Sequence, residues 1–173
     1  MKICISGLSS SGKTALGKRL ARELNIEFID PSYKDEVRSV DELLKLEERA
    51  DVRKAKLFDD KLIKMADGKD CVVTTWFGPW LIKDAAVRIW LTASFETRAQ
   101  RFAKLYKTSL EKAREAITVK DSFPERLRSN GYGTDISDRS AFDIEMNTER
   151  MTMDEMVSII SLITLEREKQ KFR

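Results

Sequence analysis

Gly7-Leu8-Ser9-Ser10-Ser11-Gly12-Lys13-Thr14 is the stretch that decides the fold. It follows the short apolar run Lys2 to Ser6 and opens Lys13 to Leu24, where Leu16, Leu20 and Leu24 recur on one helical face. Strand, glycine-bearing loop and helix in that order make a phosphate-binding loop. Its glycines let successive backbone N–H groups turn inward onto phosphate oxygens, and the helix N-terminus adds partial positive charge. Gly7, Ser9, Ser10, Ser11 and Gly12 are therefore expected to cradle a nucleoside triphosphate. Lys13 is expected along the β- and γ-phosphates, and Thr14 to offer its hydroxyl to Mg²⁺.

Working outward, four more short runs carry the β-branched and apolar bias of strands: Glu27 to Ile29, Cys71 to Thr75, Val87 to Leu91 and Phe142 to Met146. Segments of helical period separate them, including a long stretch from Val40 to Ala66 that reads as one helix or two. Capping boxes at Ser39-Val40-Asp41-Glu42, Thr108-Ser109-Leu110-Glu111 and Thr152-Met153-Asp154-Glu155 mark expected helix starts, the last opening a helix towards Lys171. Strand alternating with helix predicts an α/β fold, a parallel sheet covered on both faces in three α/β/α layers. The region from Arg98 to Arg128 reads as two basic helices and a joint, the joint being the expected mobile element.

Across 173 residues, charged side chains make up 35%, well above a usual share of about 25%, yet 32 Lys and Arg against 29 Asp and Glu leave a net charge of only +3. That balance disfavours a nucleic acid polymer as partner while allowing a local basic cleft for small phosphorylated ligands. No histidine is present, which excludes imidazole base chemistry and His-ligated zinc. Cys4 and Cys71 sit in apolar runs and read as buried, reduced thiols, so a cytoplasmic protein is expected. The start is too short for a signal peptide, and no run approaches the ~18 apolar residues of a membrane span. One domain, residues 1–173, and a monomer are expected.

Triphosphate binding alone leaves transfer, hydrolysis and plain binding open. Small size, no Asn-Lys-x-Asp guanine signature, and a basic segment between the fourth and fifth strands favour transfer, because such a segment can close over phosphates and exclude water. Besides the phosphate loop, Ala86-Val87-Arg88-Ile89-Trp90-Leu91-Thr92-Ala93-Ser94, Glu96-Thr97-Arg98-Ala99-Gln100-Arg101 and Tyr132-Gly133-Thr134-Asp135 with Asp138, Ser140, Asp143, Asn147 and Thr148 carry a resemblance to the cytidylate kinase family, closest to its archaeal branch. The resemblance implies a P-loop fold with sheet order 2-3-1-4-5, a helical acceptor-binding insertion at about residues 32–68 and a lid at about 105–132. It implies ATP as donor, a nucleoside monophosphate as acceptor, CMP or dCMP first, and Mg²⁺.

Carried over by position, the resemblance places Arg98 and Arg101 against the donor nucleotide, and Lys120 and Arg126 as lid cations. Lys120-Asp121 stands where the family has an Arg-Asp pair, and Lys lacks the planar bidentate grip of Arg on phosphate. Lys34 falls where an Arg holds the acceptor phosphate, and Asp59 where a carboxylate meets the exocyclic amine of a pyrimidine. The chain departs most at Thr74-Thr75-Trp76-Phe77-Gly78-Pro79-Trp80, where the family has an acidic residue, glycine and arginine. Trp76 is expected to line the acceptor site there, with Gly78-Pro79 turning the chain away, and Asp30 is the substitute acid. Two competing readings remain: a shikimate-type kinase, because Phe28-Ile29-Asp30 resembles that family's segment, and a nucleotide-binding or ATPase protein without acceptor chemistry.

Overall fold

The computed structural model describes residues 1–31, 40–42, 52–131 and 133–171. Five parallel strands, β1 (Lys2–Gly7), β2 (Glu27–Ile29), β3 (Cys71–Thr74), β4 (Val87–Thr92) and β5 (Ile144–Asn147), form one sheet in the order β2-β3-β1-β4-β5. Among the described residues the helices are α1 (Lys13–Leu24), α2 (Val52–Ala66), α3 (Gly78–Leu81), α4 (Phe95–Tyr106), α5 (Leu110–Ser129) and α6 (Met153–Lys171), with a 3₁₀ turn at Arg139–Ala141. Residues 40–42 are helical too; the cap at Ser39 and the choice between one helix and two fall outside the described residues.

Burial on both faces explains why the central strands read as unbroken apolar runs. One face buries Ile3, Ile5, Val72, Ile89 and Leu91 against Leu16 and Leu20 of α1 and Met156, Val157 and Ile160 of α6. The other buries Cys4, Cys71 and Val73 against Leu62 and Ala66 of α2 and Ile82. Cys4 and Cys71 lie on adjacent strands but are offset, Cys4 pairing with Val73 and Cys71 with Lys2, and both are free thiols. Loss of water raises both thiol pKa values, Cys4 up to about 12. A third cluster joins α4 and α5 through Ala99, Phe102, Ala113, Ala116 and Ile117, with Val40 packed into it.

The structure corrects several boundaries. Helix α5 is capped by Ser109, whose hydroxyl accepts from Lys112 N at 3.2 Å, and not by Thr108. Thr108 is already used: its N–H closes the end of α4 on the Ala103 carbonyl at 3.1 Å after Lys107 turns left-handed. β3 stops at Thr74, because the Thr75 hydroxyl accepts from Gly78 N at 2.8 Å and starts the next turn. Gly78-Pro79 opens a single helical turn rather than only a bend. β5 starts at Ile144; Phe142 precedes it, its ring held edge-on by Trp80 and Trp90, both at 5.2 Å. The capping box at Thr152 forms reciprocally, Thr152 N donating to Glu155 at 2.7 Å and Glu155 N to the Thr152 hydroxyl at 3.3 Å.

Candidate functional site

The site gathers where β1, β3 and β2 end. Gly12, at φ 108°, sits in a backbone region that side-chain-bearing residues rarely adopt, and turns the loop into α1. Lys13 follows, buried, with Nζ donating to the carbonyls of Gly7 at 2.7 Å and Leu8 at 2.9 Å. Its ammonium thus lies over the loop whose N–H groups Ser9, Ser10 and Ser11 contribute. The hydroxyls of Ser9 and Ser11 are buried and have no hydrogen-bond partner. Buried polar groups without a protein partner mark places where a ligand or water completes the set.

Thr14 Oγ1 donates to Asp30 Oδ2 at 2.8 Å. Asp30 directly follows β2, whose Ile29 pairs with Val73, so it falls level with Thr74 on β3. Thr74 is buried, its hydroxyl also lacks a partner, and its methyl lies so close to Gly17 that a Cβ there would meet it at 2.4 Å. Gly17 is one turn beyond Thr14 on the same face of α1. Thr14 and Asp30 therefore bring a hydroxyl and a carboxylate together beside the end of β3, and oxygen is what Mg²⁺ selects. A hydroxyl and a carboxylate suit a cation that arrives on a nucleotide; among the described residues no cluster of three or more His, Cys, Asp or Glu side chains forms a self-sufficient cage.

Helices α4 and α5 bring the basic segment onto the loop. Arg98 is buried, with 5% of its surface exposed, and its guanidinium donates to Ser9 O at 3.2 Å, Ala93 O at 3.3 Å and Asp121 Oδ2 at 2.5 Å. Asp121 Oδ1 accepts from Ser9 N at 3.1 Å. Arg101 donates to the hydroxyl and the carbonyl of Thr148, both at 2.8 Å, and the Thr148 hydroxyl lies 3.0 Å from Ser11 O. Glu149 ends this clip: Ser94 N and Oγ each donate to it at 2.8 Å, and Thr97 donates to the same carboxylate. Those bonds, Thr97 first and Ser94 next, lower the Glu149 pKa to about 2.

Of the other expected residues, Trp76 is half-buried after β3, edge-on to Phe123 of α5 at 5.9 Å, and its carbonyl accepts from the Ser6 hydroxyl at 2.8 Å. Asp59 is buried on α2, one turn before Leu62. Lys120 adjoins Asp121 and is partly exposed. Arg126 is exposed, on α5 five residues beyond Asp121. Lys34 lies outside the described residues. Phe123, Glu149 and the two-sided contact of Asp121 are additions that the sequence did not single out. Each joins segments distant in the chain, Asp121 and Ser9 being 112 residues apart, and no local pattern announces them.

A phosphate loop at the carboxyl ends of a parallel 2-3-1-4-5 sheet, overlaid by a helical hairpin whose Arg98 contacts that loop, defines a P-loop phosphotransferase. Its family follows from comparison with known proteins: the chain belongs to the cytidylate kinase-like family, whose model matches residues 2–150. It is thus an enzyme of the nucleoside monophosphate kinase class. A cytidylate kinase of Sulfurisphaera tokodaii is 32% identical over 92% of this chain and 93% of its own. A cytidylate kinase of Thermococcus sibiricus is 28% identical over 91% of this chain and 84% of its own. Among solved structures, a protein of Eubacterium ventriosum superposes with a TM-score of 0.69 at 18% identity, covering 94% of this chain and 98% of its own, which shows the same fold.

Proposed function

We propose that the protein transfers the terminal phosphoryl group of ATP to a nucleoside monophosphate, CMP or dCMP foremost, releasing ADP and the nucleoside diphosphate. The observation that carries this reading is the family match across residues 2–150, which takes in the phosphate loop, the α4–α5 hairpin and Thr148 together. In the reaction a phosphate oxygen of the acceptor attacks the γ-phosphorus while the bond to the β,γ-bridging oxygen breaks, and ADP leaves with that electron pair. The attacking oxygen is already anionic at neutral pH, since the second phosphate pKa is about 6. No general base is required, which suits a chain without histidine.

Lys13 and the loop amides hold and neutralise the transferring phosphates. Mg²⁺ would offset the charge on the phosphates; Thr14 would hold it, with Asp30 as the neighbouring carboxylate. Arg98 and Arg101 brace the loop from the donor side, and Lys120 and Arg126 belong to the lid, about residues 105–132. Lys34, Asp59 and Trp76 serve the acceptor in or beside the insertion at about residues 32–68. The protein acts as a monomer in the cytoplasm, where Cys4 and Cys71 stay reduced. No described helix is long and apolar enough to cross a membrane.

Thermal-shift measurement tests the reading. MgATP and CMP are each expected to raise the melting temperature, because a ligand selective for the native state stabilises it by mass action. Stabilisation by shikimate without any response to monophosphates would support the shikimate-type reading, and a response to ATP alone a binding or ATPase protein.

A further inference from the structure

Asp121 occupies the phosphate loop in the manner of a ligand. One carboxylate oxygen accepts from Ser9 N at 3.1 Å, and the other from Arg98 at 2.5 Å. Arg98 in turn donates to Ser9 O at 3.2 Å, so anion, amide and guanidinium close a triangle around Ser9. Both partners are well covered, with 6% of the Arg98 side chain and 17% of the Asp121 side chain exposed. A carboxylate is the side chain closest to a phosphate in charge and in hydrogen-bonding behaviour, and charge-assisted bonds of this kind are about twice as strong as neutral ones. Two residues along the same helix, Phe123 lies edge-on against Trp76. One turn of α5 thus touches the phosphate loop and the loop after β3 at the same time.

We propose that Asp121 is an intramolecular anion at the Ser9 corner of the phosphate cradle, and that the donor's phosphate tail exchanges with it, so that Asp121 sets donor affinity. The inference rests on the reading of this loop as the ATP site. Two anions cannot hold one N–H and one guanidinium together without strong mutual repulsion. A phosphate reaching Ser9 N therefore displaces the carboxylate, which leaves through its exposed edge. Helix α5 moves with it, and Phe123 withdraws from Trp76. Donor arrival is in this way conveyed to the strand end where the acceptor is proposed to bind.

Isothermal titration of MgATP and of inorganic tripolyphosphate into the parent and Asp121→Asn decides the matter. The amide keeps a neutral acceptor in place of a charged one, and charge-assisted bonds are about twice as strong as neutral ones, so both Kd values should fall by about tenfold in the variant. Asp121→Ser, shorter and also neutral, should shift in the same direction and serves if the Asn variant does not fold. Affinity unchanged or weaker in the folded variant would overturn the proposal and make Asp121 a fixed brace for Arg98. A parent that binds neither probe would overturn it together with the reading of the loop. Tripolyphosphate should also change the parent's tryptophan emission, with the change lost in Trp76→Phe; unaltered parent emission on saturation would refute the coupling to Trp76.

Discussion

Replacing Arg98 by Ala should destabilise the nucleotide-free protein by an amount that the structure allows to be worked out. Arg98 is 5% exposed and its guanidinium bonds Ser9 O, Ala93 O and Asp121, so truncation strands a partly buried carboxylate beside the loop. Breaking a buried ion pair by deleting one partner costs about 3–5 kcal/mol. Asp121 keeps 17% of its side chain in water, which places the loss at the lower end, about 3 kcal/mol. Unfolding entropy of about 2.1 cal/mol/K per residue over 173 residues amounts to roughly 0.36 kcal/mol/K, so the melting temperature should fall by about 8 °C. Circular dichroism melts of Arg98→Ala without nucleotide provide the measurement. The double variant Arg98→Ala/Asp121→Asn should melt no lower than Arg98→Ala alone, since the stranded charge is gone. A single variant melting within about 2 °C of the parent would refute the claim that Arg98 ties α4, α5 and the phosphate loop together.

Other outcomes follow from the same geometry. Trp76→Ala should raise the acceptor KM by about 5- to 160-fold, the equivalent of roughly 1–3 kcal/mol for an aromatic ring against a base, while the ATP KM stays within about twofold; an unchanged acceptor KM with a lower melting temperature would make Trp76 structural. Glu149 has its folded pKa lowered from 4.5 to about 2, so its stabilisation is complete above pH 4.5 and is lost as pH falls through about 2. Glu149→Gln should accordingly melt below the parent at pH 7, with the gap closing over that acidic window; a gap constant with pH would dissociate the charge from the clip. Burial pushes the Cys4 thiol pKa up to about 12, so alkylation should be slow in the native protein, and intact mass under denaturing, non-reducing conditions should show both Cys4 and Cys71 alkylated. A Cys4–Cys71 disulfide in freshly isolated protein would contradict the reduced-thiol assignment.

The local part of this molecule was legible in its sequence. Lys2 to Thr14 reads as strand, loop and helix start because each feature has a short-range cause: an apolar run, glycine, and leucines at helical spacing. The capping box at Thr152 was legible for the same reason. The start of α5 was not, because Thr108 and Ser109 are adjacent hydroxyls with the same capping ability, and only the end of α4 decides between them by using the Thr108 N–H. The start of β5 slipped because Phe142 has the composition of a strand but is held by the rings of Trp80 and Trp90. At the site, Lys13 and Thr14 declared themselves through a motif. Asp121 was marked only as the partner of Lys120 in a family-like pair; its contacts with Ser9 and Arg98 appear once the fold brings them to it.

Transfer of a phosphoryl group from ATP to a nucleoside monophosphate leaves two products that can be counted. The most direct measurement is chromatographic separation of nucleotide products after incubation with MgATP and CMP, dCMP, UMP, AMP or shikimate, run in parallel with folded Lys13→Ala. Equal amounts of ADP and of CDP or dCDP are expected from the parent, with a loss of at least about 10² to 10³ in rate when Lys13 is removed. ADP without any nucleoside diphosphate from the acceptors, product from shikimate alone, or transfer by Lys13→Ala at the parent's rate would contradict this reading.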